Sequence, residues 1–168
     1  MACLLRGDDG YAHGPTARGI LPPTLIMTTR AYDVVLYGAS GFTGSLAAQY
    51  LAEHPQQPRV AFAGRNEAKI RGVMDKLTGV SKERLDSIGV IKASAEDMDS
   101  IKSMVAQANV VINMVGPYAL YKGFELAQAA AEAGTGYVDL TGEGSVYQRI
   151  QRELHDVAKR THAAIVPS

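Results

Sequence analysis

Three glycines at three-residue spacing, Gly38, Gly41 and Gly44, are the residues whose type and spacing first suggest chemistry. Because glycine has no Cβ atom, Gly38 would allow a sharp turn, Gly41 would let a phosphate approach the main chain, and Gly44 would let a helix pack closely. The spacing is G-x-x-G-x-x-G rather than G-x-G-x-x-G, so it matches a variant of the dinucleotide fingerprint. Glycines also cluster in plain structural turns, and the flanking residues must decide between the two interpretations.

The residues on either side of the glycines supply the context that such a site requires. Residues 34–37 form a β-branched and aromatic run typical of a buried parallel strand, and apolar residues recur with helical period after Gly44. In a strand–turn–helix unit, open N–H groups near Phe42 and Thr43 would face an anion at the positive end of the helix dipole. We therefore predict a dinucleotide site in this unit. Its predicted members are Gly38, Ser40, Gly41, Phe42, Thr43 and Gly44.

The type of dinucleotide is predicted from the end of the second strand. A site for NAD(H) usually has an acidic residue there, about 20 residues beyond the glycines. This chain has Arg65 and Asn66 instead. A guanidinium is planar and always charged, so Arg65 would bind a 2′-phosphate, with Asn66 assisting, and the pair favours NADP(H) over NAD(H). The alternative is a surface arginine that opens a helix.

Four further residues are predicted to line the cofactor crevice from their positions after strands. Ser94 follows the third predicted strand and would lie beside the adenine. Gly116, Pro117 and Tyr118 follow the fourth, where strand order reverses and ligands bind in open α/β sheets. An equally good interpretation of Tyr118 is a buried aromatic residue that holds the loop.

Strands and helices alternate along the chain from Tyr32 to its end. This alternation predicts right-handed βαβ crossovers, and hence an α/β domain of the Rossmann type over 32–168 with a doubly wound parallel sheet of about six strands. The sixth predicted strand lies at the end of the given sequence, so an incomplete sheet is a further possibility. Residues 78–86 are predicted as polar connection. The later strands are predicted at 59–63, 87–92, 109–115, 137–140 and 163–166.

Residues 1–31 do not share this pattern. Glycines and prolines interrupt every periodicity, so we predict a disordered or extraneous arm with Met27 as a plausible start of the domain. The apolar residues 2–5 are too few for a secretory signal. Arginines in the arm hint at a mitochondrial presequence, but Asp8 and Asp9 argue against one.

Composition excludes several classes of function. Lys plus Arg and Asp plus Glu each total 17, and without a basic stripe no nucleic-acid partner is expected. Cys3 is the one cysteine, which excludes an internal disulfide and permits a reducing compartment. The four histidines show no ligand spacing, so no metal is expected. No apolar run reaches the roughly 18 residues of a membrane span, and an intracellular location is expected.

The sequence offers no convincing catalytic proton donor. Tyr118 and Lys122 match the Tyr-x-x-x-Lys pair of short-chain dehydrogenases, but there the pair lies on a helix after the fifth strand. Asp139, Thr141 and Glu143 follow the fifth strand and would face a substrate, while helix N-capping by Thr141 or Glu143 is at least as good an interpretation. The catalytic residues therefore stay unassigned.

Four motifs in the same order resemble the saccharopine dehydrogenase-like oxidoreductases, and especially the branch that includes the trans-acting enoyl reductases. They are Gly-Ala-Ser-Gly-Phe-Thr-Gly (38–44), Ala-Gly-Arg-Asn (63–66), Gly-Pro-Tyr-Ala-Leu-Tyr (116–121) and Ala-Gly-Thr-Gly-Tyr-Val-Asp-Leu-Thr-Gly-Glu (133–143). The resemblance implies an NADP-binding domain at the N-terminus of a longer enzyme, whose substrate domain is absent here. It also implies hydride transfer, a link to lipid metabolism, and a cytoplasmic, lipid-body or mitochondrial association.

Competing hypotheses remain at this point. The chain is the cofactor half of an NADP-dependent oxidoreductase that is inactive alone, or a non-catalytic NADP(H)-binding module, or a truncated relic. An atypical short-chain dehydrogenase is a weaker alternative. Because a cut sheet often completes itself against another chain, self-association is a further expectation.

Overall fold

The computed structural model describes residues 30–168, which form one parallel six-stranded sheet covered by helices. The predicted arm up to residue 29, including Met27, lies outside the described residues. The elements are β1 (Tyr32–Tyr37), α1 (Phe42–Glu53), β2 (Val60–Gly64), α2 (Glu67–Met74), α3 (Lys82–Ser87), β3 (Gly89–Lys92), α4 (Met98–Ala106), β4 (Ala108–Asn113), α5 (Gly123–Ala133), β5 (Gly136–Asp139), α6 (Gly144–Thr161) and β6 (Ile165–Val166).

The sheet has the strand order β3-β2-β1-β4-β5-β6, and every strand pair is parallel. The order reverses between β1 and β4, which makes this the topological switch point of a doubly wound fold. Val35 lies opposite Ala61 on one side and Val111 on the other. The predicted fold class is therefore confirmed, and the switch point lies directly beside the glycine turn.

The core has two layers because successive residues of the central strands point to opposite faces of the sheet. Leu36 and Phe62 pack with the buried sides of α1 and α2 on one face. Val35, Val111 and Tyr137 pack with α4, α5 and α6 on the other. β2 is buried along its whole length, as the uninterrupted Val-Ala-Phe-Ala-Gly run predicts for a strand covered on both faces.

Helix α1 buries a different side from the one that its largest side chains would suggest. Its buried residues are Gly44, Ala48, Leu51 and Ala52, whereas Leu46 and Tyr50 are exposed. Small residues therefore bring this helix close to the sheet, and the larger apolar side chains face outward.

The predicted polar connection over 78–86 is wrong in part, because it contains the short helix α3. The Ser81 hydroxyl caps the helix by accepting a hydrogen bond from the Arg84 amide. The Arg84 guanidinium is buried and donates to the Leu51 and Ala52 carbonyls of α1. Two long-range hydrogen bonds from one side chain thus support a helix that shows no apolar periodicity. Strand β3 begins at Gly89 rather than at Ser87.

Arg30 belongs to the folded unit rather than to the predicted arm. Its guanidinium donates hydrogen bonds to the Val105 carbonyl at 3.1 Å, to the Ala108 carbonyl at 2.8 Å, and also to the Ala133 carbonyl and the Thr135 hydroxyl. These acceptors lie at the ends of α4 and α5 and the start of β4. One cation therefore satisfies the main-chain carbonyls of two helix ends, which a cation also stabilises through the helix dipole.

We expect Arg30→Ala to lower the free energy of unfolding by about 2 to 4 kcal/mol, because several partly buried carbonyls lose a charged donor. Urea denaturation followed by circular dichroism measures this change. Arg71→Ala is the matched control, since the exposed ion pair of Arg71 with Glu67 is expected to contribute less than about 0.5 kcal/mol. Equal losses in the two variants would contradict the anchoring role of Arg30.

Candidate functional site

Two of the three glycines occupy positions where a Cβ atom would clash with neighbouring atoms. Gly38 has a φ of +90°, and a Cβ atom there would lie 2.7 Å from Cγ2 of Val115. A Cβ atom at Gly44 would lie 2.0 Å from the Gly38 carbonyl oxygen, so α1 packs directly on the turn. The turn itself is closed by the Gly41 amide, which donates to the Gly38 carbonyl at 3.0 Å. The sharp turn and the close helix packing are as predicted.

The first turn of α1 is open to an anion. Its N-cap is Gly41, which has no side chain to cap the helix, and the turn contains no acidic residue. The Ser45 amide is bonded to the Gly41 carbonyl at 2.8 Å, so the N–H groups of Phe42 and Thr43 come before the first intrahelical bond. These amides and the helix dipole together form a site that favours negative charge.

A crevice of about 270 Å³ lies at the carboxyl ends of β1, β2, β3 and β4, at the switch point of the sheet. Four separate loops build its walls, which places residues distant in sequence around one space. The lining residues are Tyr37, Gly38, Ser40, Gly41, Gly64, Arg65, Ser94, Ala95, Glu96, Met114, Val115, Gly116 and Tyr121. A larger groove of about 430 Å³ between α6 and β6 is remote from the glycine turn and has none of these features.

The crevice brings together half of the residues that the sequence predicted for the site. Phe42, Thr43 and Gly44 form the helix end beside it. Asn66 does not line it: its side-chain oxygen accepts a hydrogen bond from the Lys69 amide at 3.0 Å and caps α2. Pro117 and Tyr118 are also outside the wall. The predicted residues that line it are Gly38, Ser40, Gly41, Arg65, Ser94 and Gly116.

Arg65 lies at the mouth of the crevice with its side chain exposed. Among residues 30–168, the ion pairs of the structure do not include Arg65, so its charge is available to a ligand. Glu96 and Tyr37 line the same end. Burial raises the pKa of the Tyr37 phenol, which therefore stays neutral and adds no charge next to the guanidinium.

Tyr118 is a buried aromatic residue that holds the loop, which was the alternative interpretation of this residue. Its side chain is only 5% exposed, and its hydroxyl donates to the Asn113 carbonyl at 2.9 Å and accepts from the Leu140 amide at 3.0 Å. Burial raises the pKa of this phenol, whereas the Tyr-x-x-x-Lys mechanism requires a lowered one. Lys122 is an exposed residue in the left-handed conformation with a φ of +55°. The geometry therefore gives no support to a catalytic pair.

The ends of β4 and β5 carry a buried polar network that the sequence alone did not indicate. The side-chain Nδ2 of Asn113 donates to the Tyr137 hydroxyl at 3.1 Å, and that hydroxyl donates to the Asp139 carboxylate at 2.6 Å. Burial, followed by the hydrogen bond to Asp139, raises the pKa of Tyr137 far above its ordinary value. The network holds the two strands at the level of the crevice. Beside it, the Thr141 hydroxyl is buried without a partner among the described residues.

Tyr37, Glu96 and Tyr121 are among the lining residues that sequence reasoning missed. Tyr37 is the last residue of β1, so its position next to the glycine turn was the available signal. Glu96 and Tyr121 lie in loops, where no periodicity indicates the direction of a side chain. Across residues 30–168, no cluster of three or more His, Cys, Asp or Glu side chains could hold a metal ion.

The topology and the crevice define a dinucleotide-binding domain of the Rossmann type. Residues 34–166 match the family described as saccharopine dehydrogenase NADP binding domain, and the chain belongs to that family. Its cofactor is therefore NADP(H). In the part of the chain from residue 30 onward, no helix is both long enough and apolar enough to cross a bilayer.

Proteins similar to the chain include two curated relatives and one solved structure. A lipid droplet localized protein of Caenorhabditis elegans is 40% identical over 137 residues, which cover 80% of this chain and 32% of the relative. A trans-acting enoyl reductase of Mycobacterium ulcerans is 38% identical over 137 residues, covering 82% and 32%. Saccharopine dehydrogenase (L-Glu forming) from Saccharomyces cerevisiae superposes with a TM-score of 0.61 at 20% identity, covering 81% and 26%. The chain spans about a third of the length of these curated relatives.

Proposed function

We propose that NADP(H) binds in the crevice at the switch point, with its pyrophosphate at the N-terminus of α1 and its 2′-phosphate at Arg65. The adenine would lie beside Ser94, and the nicotinamide half would extend toward Gly116. The observation that carries this proposal is that a helix N-terminus without a side-chain cap and an arginine that forms no ion pair within residues 30–168 lie at one crevice. Two anionic groups of one ligand would meet these two positive centres.

The residues at the end of β2 support a phosphate at Arg65 rather than a free ribose hydroxyl. β2 ends at Gly64 and is followed by the guanidinium, whereas the carboxylate that would hold ribose hydroxyls is missing from this strand end. Asn66 is committed to capping α2, so in this proposal the phosphate is bound by Arg65 alone. A guanidinium binds phosphate through short, charge-assisted hydrogen bonds.

We further propose that the chain is the cofactor-binding part of an oxidoreductase that transfers hydride to or from a lipid-related substrate. The cofactor supplies the hydride when bound, and the protein supplies its position and surroundings. The names of the relatives support a lipid link, since one is an enoyl reductase and another is localized to lipid droplets. Large apolar side chains are exposed at the same end of the sheet as the crevice, namely Phe42, Leu120, Tyr121 and Leu140. They would suit an apolar substrate.

Titration of the full chain with NADPH tests the cofactor part of this proposal. Nicotinamide fluorescence is expected to increase and to saturate at one NADPH per chain, with NADH bound at least about tenfold more weakly for want of the 2′-phosphate. The absence of NADPH binding by a sample with a cooperative thermal transition would overturn the proposal. If the chain binds NADH more tightly than NADPH, only the assignment of Arg65 to the 2′-phosphate is overturned.

Location at lipid droplets is the finer proposal that follows from the Caenorhabditis elegans relative. The exposed apolar residues of α1, Leu46 and Tyr50, add a surface that could contact lipid. Flotation of the full chain with phospholipid-coated triolein droplets measures this association. Recovery of the whole protein at the bottom of the gradient would contradict it.

A further inference from the structure

The loop that joins β4 to α5, residues 114–122, forms one wall of the cofactor crevice. Gly116 and Tyr121 of this loop face the crevice across from the glycine turn. The loop has no regular secondary structure of its own, and Lys122 at its end adopts a left-handed conformation. Within the loop the Leu120 and Tyr121 amides donate to the Pro117 carbonyl, and contacts from other parts of the chain hold this turn in place.

The Glu143 carboxylate binds this loop from outside it. One of its oxygens accepts a hydrogen bond from the Tyr118 amide at 2.6 Å, and the other accepts from the Ala119 amide at 3.0 Å. Both oxygens are thus used on two consecutive main-chain N–H groups. Hydrogen bonds to an ionised carboxylate are stronger than those between neutral groups. Glu143 occupies the N-cap position of α6, but its side chain makes no cap bond there, so the capping interpretation does not hold for this residue.

A second contact acts on the same loop from the same side. The Leu140 amide donates to the Tyr118 hydroxyl, which itself donates to the Asn113 carbonyl at the end of β4. The segment after β5 therefore holds the β4–α5 loop by a carboxylate at the main chain and by an amide at the buried ring. By contrast, neither contact involves Arg65 or Ser94, which belong to the opposite, adenine end of the crevice.

We propose that Glu143 is a positioning residue for the nicotinamide half of the cofactor. This inference rests on the proposed function, because it takes the β4–α5 loop to be the nicotinamide wall of an NADP(H) site. The carboxylate acts through the amides of Tyr118 and Ala119 and touches no cofactor atom itself. Its loss would release Gly116 and Tyr121 from the wall while leaving the adenine end intact.

The test compares Glu143→Gln with the wild-type full chain for two ligands. NADPH reports on the whole crevice, whereas adenosine 2′,5′-bisphosphate carries only the adenine, the 2′-phosphate and one 5′-phosphate. Glutamine keeps one acceptor oxygen but turns an N–H₂ group toward the second amide, which stays unpaired. The NADPH dissociation constant is expected to rise by about tenfold or more, and that of the bisphosphate to change by less than about twofold. Isothermal titration calorimetry measures both.

Glu132→Gln is the matched control, since Glu132 is an exposed residue of α5 whose side-chain hydrogen bond within residues 30–168 is to Gln128 on the same helix. It is expected to bind both ligands as the wild type does. A variant whose whole domain is destabilised, in contrast, would lose affinity for both ligands. Equal weakening of NADPH and the bisphosphate by Glu143→Gln, or no weakening of either, would therefore overturn the positioning role.

Tyr118→Phe tests the same inference through the second contact. It provides the test if Glu143→Gln does not fold. It removes the hydroxyl that joins Leu140 to Asn113, and the same selective loss of NADPH affinity is expected. If the wild-type protein binds neither NADPH nor the bisphosphate, the proposed function is overturned, and this inference with it. If the wild-type protein binds both ligands but the variants do not lose NADPH affinity selectively, only this inference is overturned.

Discussion

Gly44→Ala is expected to abolish tight NADPH binding and to lower the free energy of unfolding by about 2 to 4 kcal/mol. The added Cβ atom would lie 2.0 Å from the Gly38 carbonyl oxygen and 2.8 Å from its carbonyl carbon. These are main-chain atoms of the turn, so no side chain can rotate away to make room. Helix α1 would have to shift away from the turn, and its open amides would move away from the pyrophosphate. Urea denaturation and NADPH titration measure the two effects.

Gly72→Ala provides the control for this substitution within the same layer of helices. A Cβ atom at Gly72, inside α2, would meet nothing within 4 Å. Because alanine favours a helix over glycine, this variant is expected to be more stable by about 0.5 to 1 kcal/mol and to bind NADPH normally. NADPH binding by Gly44→Ala with wild-type affinity would show that the close packing of α1 on the turn is not needed for the site.

Arg65→Ala is expected to weaken NADPH binding by about 30- to 100-fold while changing NADH binding by less than about threefold. The guanidinium would bind only the 2′-phosphate, and a charge-assisted contact of this kind is worth about 2 to 3 kcal/mol. Part of the effect is expected to disappear at high salt, because Arg65 is exposed and its charge is screened. Parallel fluorescence titrations with the two cofactors, at low and high salt, measure the difference.

Arg71→Ala serves as the charge-matched control, because Arg71 lies on α2 and pairs with Glu67 outside the crevice. This variant is expected to bind both cofactors with little change. A loss of equal size for NADPH and NADH in Arg65→Ala would remove the assignment of the 2′-phosphate. Arg65 would then be the surface arginine of the alternative interpretation.

The fold class and the glycine turn could be predicted because both depend on local patterns. The buried run of β1, the turn at Gly38 and the close packing at Gly44 follow one another within a short stretch, so the sequence contains their whole context. The alternation of strands and helices then limits the sheet to a few topologies. Helix α3 was missed because its support is Arg84, whose partners Leu51 and Ala52 belong to a different helix.

The sequence by itself determined that a strand, a glycine turn and a helix leave open amides for an anion, and that an arginine follows the second strand. Only the tertiary structure decided which residues join them. It placed Tyr121 and Glu96 in the crevice wall, buried Tyr118 behind it, and directed Glu143 to the β4–α5 loop. The reason is physical: main-chain turns and periodicity depend on neighbours in sequence, whereas a carboxylate that satisfies amides 24 and 25 residues away depends on where the sheet brings two loops together.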